Sequence, residues 1–439
     1  MRVLVLGAGG FIGGRVCAGL LARGHDVVPC GRDAAALHRR FPGRLAMAAD
    51  LARDGARDWL PRLAGLDAVV QAAGALGGPD LEAVHARGPA ALFDACAAAG
   101  VRRLVQVSAL DAGPGALSRF HRTKRVADDH LLRLRAAAEA AGGGGGRGGW
   151  CVLRPSLVVG RGGRSTSLFA ALAALPRPLR LGPGTWRVQP LHVEDLARAV
   201  AELLEAPAPV PPRLDLVGPA PMTTDELTRA LRAWLGLPEA PFLPIPEALL
   251  RLGAALGAAI PGGGGALLTP ETLGMLARGN TADPGPAAAA LGWRPRPLAA
   301  ALAADPAVEA DRWHARLLPL RPALRLGLAA VWVGSGLVSA LVAPLAHSHA
   351  LLAGLGLRGA AATAVTLAGA ALDLALGLAL LLLPGRTRLV GAAQIAAMLL
   401  FTALATAAAP AAWADPFGPL LKNAAVLVAT LALMAMAED

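Results

Sequence analysis

Tyrosine is absent from this chain of 439 residues, and lysine and asparagine are nearly absent. Without tyrosine, no phenol can donate a proton in a general acid step. The lysines are Lys124 and Lys422, and the asparagines are Asn280 and Asn423. Arginine carries the rest of the positive charge, so we expect each remaining lysine to serve a purpose that needs a compact ammonium group.

Cysteine is scarce as well, with Cys17, Cys30, Cys96 and Cys151. No two of them have CxxC spacing, which excludes a zinc ribbon, and no other ligand spacing predicts a metal site. Few cysteines indicate a reducing compartment. A strand pattern begins directly after Met1, so we expect no signal peptide.

The positive charges are numerous but scattered. The formal net charge is +11 and the isoelectric point is about 11.1. The sequence has no block of basic residues interleaved with aromatics, so we expect no nucleic-acid partner.

Long apolar runs occupy the C-terminal quarter of a chain whose mean hydropathy is +0.50. They cover about 323–343, 361–383, 388–409 and 420–437, each near the ~20 residues that cross a bilayer. We predict a C-terminal four-helix transmembrane bundle, with the lipid bilayer as its first partner. Four buried helices of a soluble protein are the alternative, which the near-continuous apolarity argues against.

Arginines are distributed unevenly around these runs. Four precede the first run and two lie between the second and third, whereas the other loops carry Arg358 and Lys422. Since positive loops stay inside, we predict a multi-pass protein of the cytoplasmic (inner) membrane. The N-terminal domain, the turn at 384–388 and the C-terminus would be cytoplasmic.

Strand and helix patterns alternate through residues 1–305. The strand patterns are RVLVLG, HDVVPCG, LDAVVQAAG, RLVQVSAL and WCVLRPSLVVG. Such alternation predicts an α/β Rossmann fold with a doubly wound parallel sheet. We expect a small substrate lobe from about 214 to 304, a linker at 306–322, and the membrane domain at 323–439. The glycine-rich run at 142–149 is expected to be a surface loop.

A glycine-rich turn, GAGGFIG, joins the first strand to the first helix. Gly7 would permit the turn, Gly10 the approach of a pyrophosphate, and Gly13 the packing of helix on strand. The helix N-terminus favours an anion. The predicted cofactor contacts here are Gly7, Gly9, Gly10, Phe11, Ile12 and Gly13. A tight turn without a ligand is the alternative.

The residue after the second strand indicates which nucleotide is preferred. Arg32 stands where an NAD-specific protein has an acid, and Asp33 comes one residue too late. An arginine here accommodates a 2′-phosphate, so NADP(H) is favoured over NAD(H). Asp50 and Leu51 would border the adenine, or Asp50 is simply a surface residue.

Several motifs in order resemble an atypical, extended short-chain dehydrogenase/reductase, similar to the nucleotide-binding accessory subunit of respiratory complex I. They are GAGGFIG, QAAG, the strand-end Ser108, FHRTK, LRPSLVVG and VQPLHVEDLARAV. The resemblance covers about residues 1–305. It adds Ala73 and Gly74, within QAAG, to the cofactor-binding residues.

The resemblance implies a catalytic serine, a proton-donating tyrosine and a lysine four residues after it. The matching positions are Ser108, Phe120 and Lys124, so the proton donor is missing. Lys124 would still bond the nicotinamide ribose. His121 could replace the acid, although a surface histidine is the simpler interpretation.

His192, Glu194 and Asp195 lie on the lobe that faces the cofactor in this family. We interpret them first as structural hydrogen-bonding residues and second as substrate contacts.

The C-terminal part resembles a DoxX-like membrane domain through AAVWVGSG, ALDLALG and DPFGPLLKN. Asp373 and Gln394 lie within the second and third runs, as interhelical bonds or as ligand contacts. Lys422 and Asn423 are adjacent at the start of the fourth run. A snorkelling lysine is one interpretation, and contact with a lipid, quinone or partner is the other.

Two functions follow. The first is a membrane-anchored NAD(P)H-dependent oxidoreductase that acts on a quinone or another lipid-soluble substrate. The alternative is a catalytically silent NADP(H)-binding sensor or scaffold of a membrane protein complex. Epimerase or dehydratase chemistry is less favoured, because it too uses the missing tyrosine.

Overall fold

The computed structural model describes residues 1–140, 148–207, 209–259, 268–343 and 345–437. Most of the predicted loop at 142–149 lies outside these residues. The chain divides into two compact units. The first comprises Met1–Ala255 with Ala266–Ala315, and the second Leu256–Gly265 with Arg316–Asp439.

The strands in chain order are β1 (Arg2–Leu6), β2 (Asp26–Gly31), β3 (Met47–Ala48), β4 (Ala68–Gln71), β5 (Arg103–Val107), β6 (Gly149–Pro155), β7 (Val158–Val159), β8 (Leu179–Arg180), β9 (Arg187–Val188), β10 (Leu191–His192), β11 (Arg213–Leu216), β12 (Met222–Thr223) and β13 (Leu243–Pro244).

The helices are α1 (Phe11–Ala22), α2 (Ala34–Arg40), α3 (Ala56–Trp59), α4 (Gly88–Ala98), α5 (Arg119–Ala140), α6 (Arg164–Ala174), α7 (Val193–Glu205), α8 (Thr224–Trp234), α9 (Glu247–Ala259), α10 (Pro270–Arg278), α11 (Gly285–Leu291), α12 (Leu298–Ala304), α13 (Glu309–Leu317), α14 (Leu320–Leu337), α15 (Leu345–Ala353), α16 (Gly359–Leu382), α17 (Thr387–Ala408) and α18 (Lys422–Ala435).

The central sheet confirms the predicted Rossmann architecture. Within the described residues it has seven strands in the order β11-β6-β5-β4-β1-β2-β3, all parallel to their neighbours. One core cluster lies on the face covered by α1 and α7, and another on the face covered by α4 and α5. Burial on both faces explains the continuous apolar strands. The strand order reverses between β1 and β4, where such sheets bind ligands.

The small lobe has its own core, built from α6, α8, α10 and α12. Its strand pairs are short, such as β9 with β12. The strand at the start of the predicted lobe, β11, is an edge strand of the main sheet. The segment predicted as a linker, 306–322, contains α13 and the start of α14.

The second unit is a bundle of apolar helices, as predicted, but one of its four predicted spans is short. Among the described residues, three helical stretches are long and apolar enough to cross a membrane: Glu309–Val342, Gly359–Leu382 and Pro384–Ala408. The predicted fourth span, 420–437, forms the 14-residue α18, which is about 21 Å long. Gly418, in the left-handed region, and Pro419 precede it and limit its length. The sequence did not predict α15.

Candidate functional site

The glycine turn between β1 and α1 leaves no room for side chains at two of its positions. Gly7 has a φ of 76°, and a Cβ there would lie 2.8 Å from the Cα of Ala73. A Cβ at Gly13 would overlap the carbonyl oxygen of Gly7. Gly7 therefore permits the turn and its contact with the residues after β4, and Gly13 permits α1 to pack on the turn.

The N-terminus of α1 is open at this turn. Gly10 caps the helix without a side chain, and the first turn has no acidic residue. Phe11 lies against the loop at Gly160 and Gly163, and Ile12 packs on the core. Free N–H groups and the helix dipole at this end are suited to a phosphate.

Two arginines lie near the turn. Arg32 is exposed directly after β2, and Asp33 caps α2 by accepting a hydrogen bond from the backbone N–H of Ala36 at 2.9 Å. Arg40 donates from Nη1 to the carbonyl oxygen of Gly9 at 2.7 Å. Arg40 was not predicted from the sequence, although the basic end of the helix that follows Arg32 was a signal for it.

Asp50 and Leu51 follow β3 and hold a turn. Asp50 Oδ1 accepts from the backbone N–H of Ala52 at 3.0 Å, and its other oxygen lies 3.7 Å from Arg53. Leu51 is a buried core residue. These contacts show a structural role for both residues, and the adenine contact stays a prediction.

The residues after β4 meet α5 at a buried histidine, His85, which was not predicted from the sequence. His85 Nε2 accepts from the backbone N–H of Ala75 at 2.9 Å, and its Nδ1 lies 3.1 Å from Thr123 Oγ1. Burial, reinforced by the charge of Lys124, lowers the pKa of His85 to about 3. His85 is therefore neutral, with its proton on Nδ1. A Cβ at Gly74 would lie 3.2 Å from both His85 Nε2 and Lys124 Nζ.

Lys124 lies on the face of α5 that also carries Phe120 and Asp128, since residues four apart share a face. It is 5% exposed, and its Nζ donates to the carbonyl oxygen of Val107 at 3.1 Å. Burial lowers the pKa of Lys124 to about 8, although Asp128 opposes the shift. The ammonium form therefore predominates at neutral pH.

Ser108 is hydrogen-bonded to Asp128, another residue that was not predicted from the sequence. Ser108 Oγ donates to Asp128 Oδ2 at 2.7 Å, and Arg154 Nε donates to the same oxygen at 2.9 Å. Asp128 is fully buried, and burial raises its pKa to about 6 against the opposing effects of Arg154 and Ser108. The hydroxyl proton of Ser108 is thus held by a carboxylate.

Phe120 occupies the position of the proton donor, with an imidazole on each side. Its ring centroid lies 5.3 Å from that of His85 and 5.2 Å from that of His121. Its backbone N–H donates to Glu271 Oε1, on α10 of the small lobe, at 3.1 Å. The side chain itself offers no proton.

His121 is buried, with 5% exposure, so its interpretation as a surface residue is wrong. Ser118 Oγ lies 2.9 Å from its Nδ1 and also accepts from its backbone N–H. The serine precedes it by one helical turn, which explains the local bonding. Chiefly burial lowers the pKa of His121, so at neutral pH it is a weak proton donor.

The residues around α7 make structural contacts. His192 caps α7 by accepting from the backbone N–H of Glu194 at 3.4 Å. Glu194 pairs with Arg15 at 3.3 Å, and Asp195 pairs with Arg296 at 2.7 Å. In the described part of the chain, no group of three or more His, Cys, Asp or Glu could hold a metal ion.

Comparison with known proteins agrees with both halves of this architecture. Residues 3–217 match the NAD dependent epimerase/dehydratase family, and residues 329–431 match the DoxX-like family. A 2-alkyl-3-oxoalkanoate reductase from Stenotrophomonas maltophilia (strain K279a) is 28% identical over 48% of this chain and 67% of its own length.

Solved structures share the fold of the first unit. A UDP-glucuronic acid 4-epimerase from Bacillus cereus, in complex with UDP-glucuronic acid and NAD, has a TM-score of 0.52 and 18% identity, over 72% of this chain and 100% of that chain. A UDP-glucose 4-epimerase from Thermotoga maritima, with UDP-glucose, has a TM-score of 0.51 and 16% identity, over 69% and 98%. The chain therefore matches an NAD dependent epimerase/dehydratase family model over residues 3–217 and a DoxX-like family model over residues 329–431, and its first unit shares the fold of the solved epimerases.

Proposed function

We propose that the protein is a membrane-anchored NADPH-dependent oxidoreductase that transfers hydride to a lipid-soluble acceptor, of which a quinone is the simplest example. The observation that carries this proposal is the pairing of Lys124 with Phe120. The lysine that would bind the nicotinamide ribose is retained and buried. The position one turn before it, which the proton donor would occupy, carries the apolar ring of Phe120.

This pairing favours an acceptor that needs no acid from the protein. Reduction of a simple carbonyl places negative charge on oxygen, and a positioned acid normally neutralises it. A quinone accepts the hydride from NADPH, gives NADP⁺ and a delocalised hydroquinone anion, and then takes a proton from water. Neither His121, which is neutral, nor Ser108, which donates to Asp128, has to act as the acid.

The preference for NADPH rests on positive charge near the second strand. Arg32 is exposed where the ribose 2′-phosphate would lie, and Arg40 crosses the glycine turn to Gly9. Asp33 comes one residue after the position of the NAD-specific acid, and its Oδ1 caps α2 by accepting from the backbone N–H of Ala36. A guanidinium pair binds a phosphate dianion through charge-assisted hydrogen bonds.

The apolar helices support a place in the membrane. Among the residues that the structure describes, three stretches are long enough to cross a bilayer, and the arginines beside them favour a cytoplasmic N-terminal domain in the inner membrane. A substrate dissolved in the bilayer would suit an enzyme tethered there. The reductase relative supports hydride transfer over epimerisation.

The second candidate is a silent sensor or scaffold of a membrane complex. The bond from Ser108 to Asp128 favours it, because the hydroxyl that would orient a substrate carbonyl already has an acceptor at 2.7 Å. In this case NADPH would bind without turnover.

Oxidation of NADPH by the full chain in detergent separates the two candidates. Decylubiquinone and menadione serve as acceptors, and Lys124→Met is the control that should lose the ribose contact. Quinone-dependent turnover that falls at least tenfold in Lys124→Met supports the oxidoreductase. Tight NADPH binding without turnover of any acceptor supports the sensor or scaffold.

A further inference from the structure

Three buried side chains in the membrane unit carry polar atoms that lack a hydrogen-bond partner among the described residues. The atoms are Trp332 Nε1 on α14, Asp373 Oδ1 on α16 and Gln394 Oε1 on α17. The three residues are 6%, 7% and 1% exposed. They therefore lie in the interior of the bundle and not on its lipid-facing surface.

Contacts between the helices bring these side chains to nearly the same depth. Ser335 Oγ, one turn after Trp332 on α14, donates to Asp373 Oδ2 at 2.9 Å. Gln394 Nε2 donates to the carbonyl oxygen of Leu376 at 3.4 Å, one turn after Asp373 on α16. Trp332 packs in one cluster with Leu376. The three side chains therefore lie within about one helical turn of one another in depth.

A polar atom without a partner is costly in such a place. Each loses the hydrogen bond that it would make to water, and the cost is greatest where no water can reach it. Hydrogen bonds between helices give partners to Asp373 Oδ2 and Gln394 Nε2. The other polar atom of each of these side chains, Oδ1 and Oε1, has no partner among the described residues. Their persistence on three helices indicates a site that is completed by a ligand, and the interior of a bundle is a common place for one.

The unused atoms define the chemistry of that ligand. Asp373 and Gln394 offer oxygens that accept, and Trp332 offers an N–H that donates. A hydroxyl group complements both, because it donates one hydrogen bond and accepts another. The surrounding side chains, including Leu376, Ala397 and Met398, are apolar. The body of the ligand should therefore be lipophilic.

We propose that the interior of the membrane unit binds the hydroxyl group of a lipophilic molecule, either a phenol of the quinol type or a long-chain alcohol. The hydroxyl donates to Asp373 or Gln394 and accepts from Trp332. This site is independent of hydride transfer in the N-terminal domain, because it needs no nucleotide and no catalytic step.

The test measures binding to the full chain in detergent without nucleotide. The probes are decylubiquinol, its quinone, which lacks the hydroxyls, and farnesol, an alcohol. We expect saturable binding of at least one hydroxyl-bearing probe, and at least tenfold weaker binding of the quinone at the site that depends on Gln394. Binding of decylubiquinol alone would identify a phenol, and binding of farnesol alone would identify an alcohol.

Gln394→Met tests the site because it removes the unused oxygen at nearly constant volume. We expect it to weaken probe binding at least tenfold while the protein stays folded, as thermal unfolding would verify. Thr366→Val is the matched control, since Thr366 bonds within its own helix, to the carbonyl oxygen of Ala362, and its loss should leave binding unchanged. The proposal is overturned if no probe binds saturably, if Gln394→Met weakens the binding of quinone and quinol equally, or if Gln394→Met raises the melting temperature and binds probes like the wild type.

Discussion

The ring of Phe120 meets the imidazole of His85 edge to face, with 5.3 Å between the centroids and 83° between the planes. His85 is buried and neutral, and both of its nitrogens have hydrogen-bonding partners. Phe120 thus packs against a neutral imidazole, which is not an acid at neutral pH. The position one turn before Lys124 on α5 therefore carries no hydroxyl, and the apolar ring that replaces it is packed against its neighbours.

Restoring that hydroxyl should create a carbonyl reductase. Phe120→Tyr would place a phenol one helical turn from the Lys124 ammonium, which lowers the pKa of a nearby phenol. We expect at least tenfold more NADPH-dependent reduction of a 3-oxo acid or simple ketone, or ~1.4 kcal/mol of barrier. Phe120→Tyr with Lys124→Met is the control and should lose the gain.

A wild type that already reduces ketones rapidly, and is indifferent to Phe120→Tyr, would contradict this account of Phe120. His121→Ala would then show whether His121 supplies the proton. If ketone reduction is absent in both the wild type and Phe120→Tyr, the sensor or scaffold function is favoured.

The glycine turn offers a test of cofactor binding. Gly10→Val places a side chain at the open end of α1, where the pyrophosphate is expected, so NADPH binding should fall below detection by fluorescence titration. Gly19→Ala, on the same helix, is the matched control. Its Cβ would meet Ala197 at an ordinary 3.7 Å, and helix propensity predicts ~0.5–1 kcal/mol of added stability. Unchanged affinity in Gly10→Val would mean that the nucleotide binds elsewhere.

The sequence predicted those parts of the site that depend on neighbours along the chain. The turn from Gly7 to Gly13 and the spacing of Phe120 and Lys124 are local patterns. His85 and Asp128 were missed because their partners, Ala75 and Ser108, come from other elements. The scarcity of asparagine was a usable signal for one further residue, but it was not interpreted.

That signal was Asn280, one of two asparagines in the chain. Its Oδ1 accepts from the backbone N–H of Leu157 at 2.7 Å, and its Nδ2 donates to Asp111 at 3.2 Å. An amide is required because one end accepts and the other donates. In the membrane part, apolarity predicted α14, α16, α17 and the position of α18, but not the short length of α18, and it did not predict α15.

Cofactor preference should follow Arg32 and Arg40. We expect the wild type to bind NADPH at least tenfold more tightly than NADH, because both guanidinium groups would lie near the 2′-phosphate. Arg32→Asp should reverse the preference. Arg40→Met should weaken NADPH more than NADH. Equal affinity of the wild type for the two nucleotides, in parallel titrations, would remove the basis for NADPH.

Nucleotide affinity should also depend on pH through Lys124. Its pKa in the folded protein is about 8, so the ammonium that would hold the ribose is lost as pH rises through that value. We expect NADPH to bind more weakly at pH 9 than at pH 7, and Lys124→Met to bind weakly at both. Unfolding would not explain the weaker NADPH binding at pH 9. Lys124 has a pKa of ~10.4 in the unfolded state, which therefore binds more protons than the folded state between about pH 8 and that value. The contribution of Lys124 to the free energy of unfolding thus increases as pH rises. An affinity independent of pH would contradict the ribose contact.

The short α18 makes the side of the C-terminus a sharp test of topology. We predict that α18 crosses the bilayer despite its 14 residues, because Leu420 and Leu421 extend the apolar run, Lys422 can snorkel, and a bilayer thins around short helices.

Single cysteines at Gly385, Asp415 and Ala435, all exposed, can be labelled in right-side-out and inverted vesicles. The native cysteines are buried, with raised pKa values, and should stay unlabelled. Gly385→Cys and Ala435→Cys should react from the cytoplasmic side and Asp415→Cys from the other. If Ala435→Cys reacts together with Asp415→Cys, α18 does not cross, and the arginine distribution has placed the C-terminus on the wrong side.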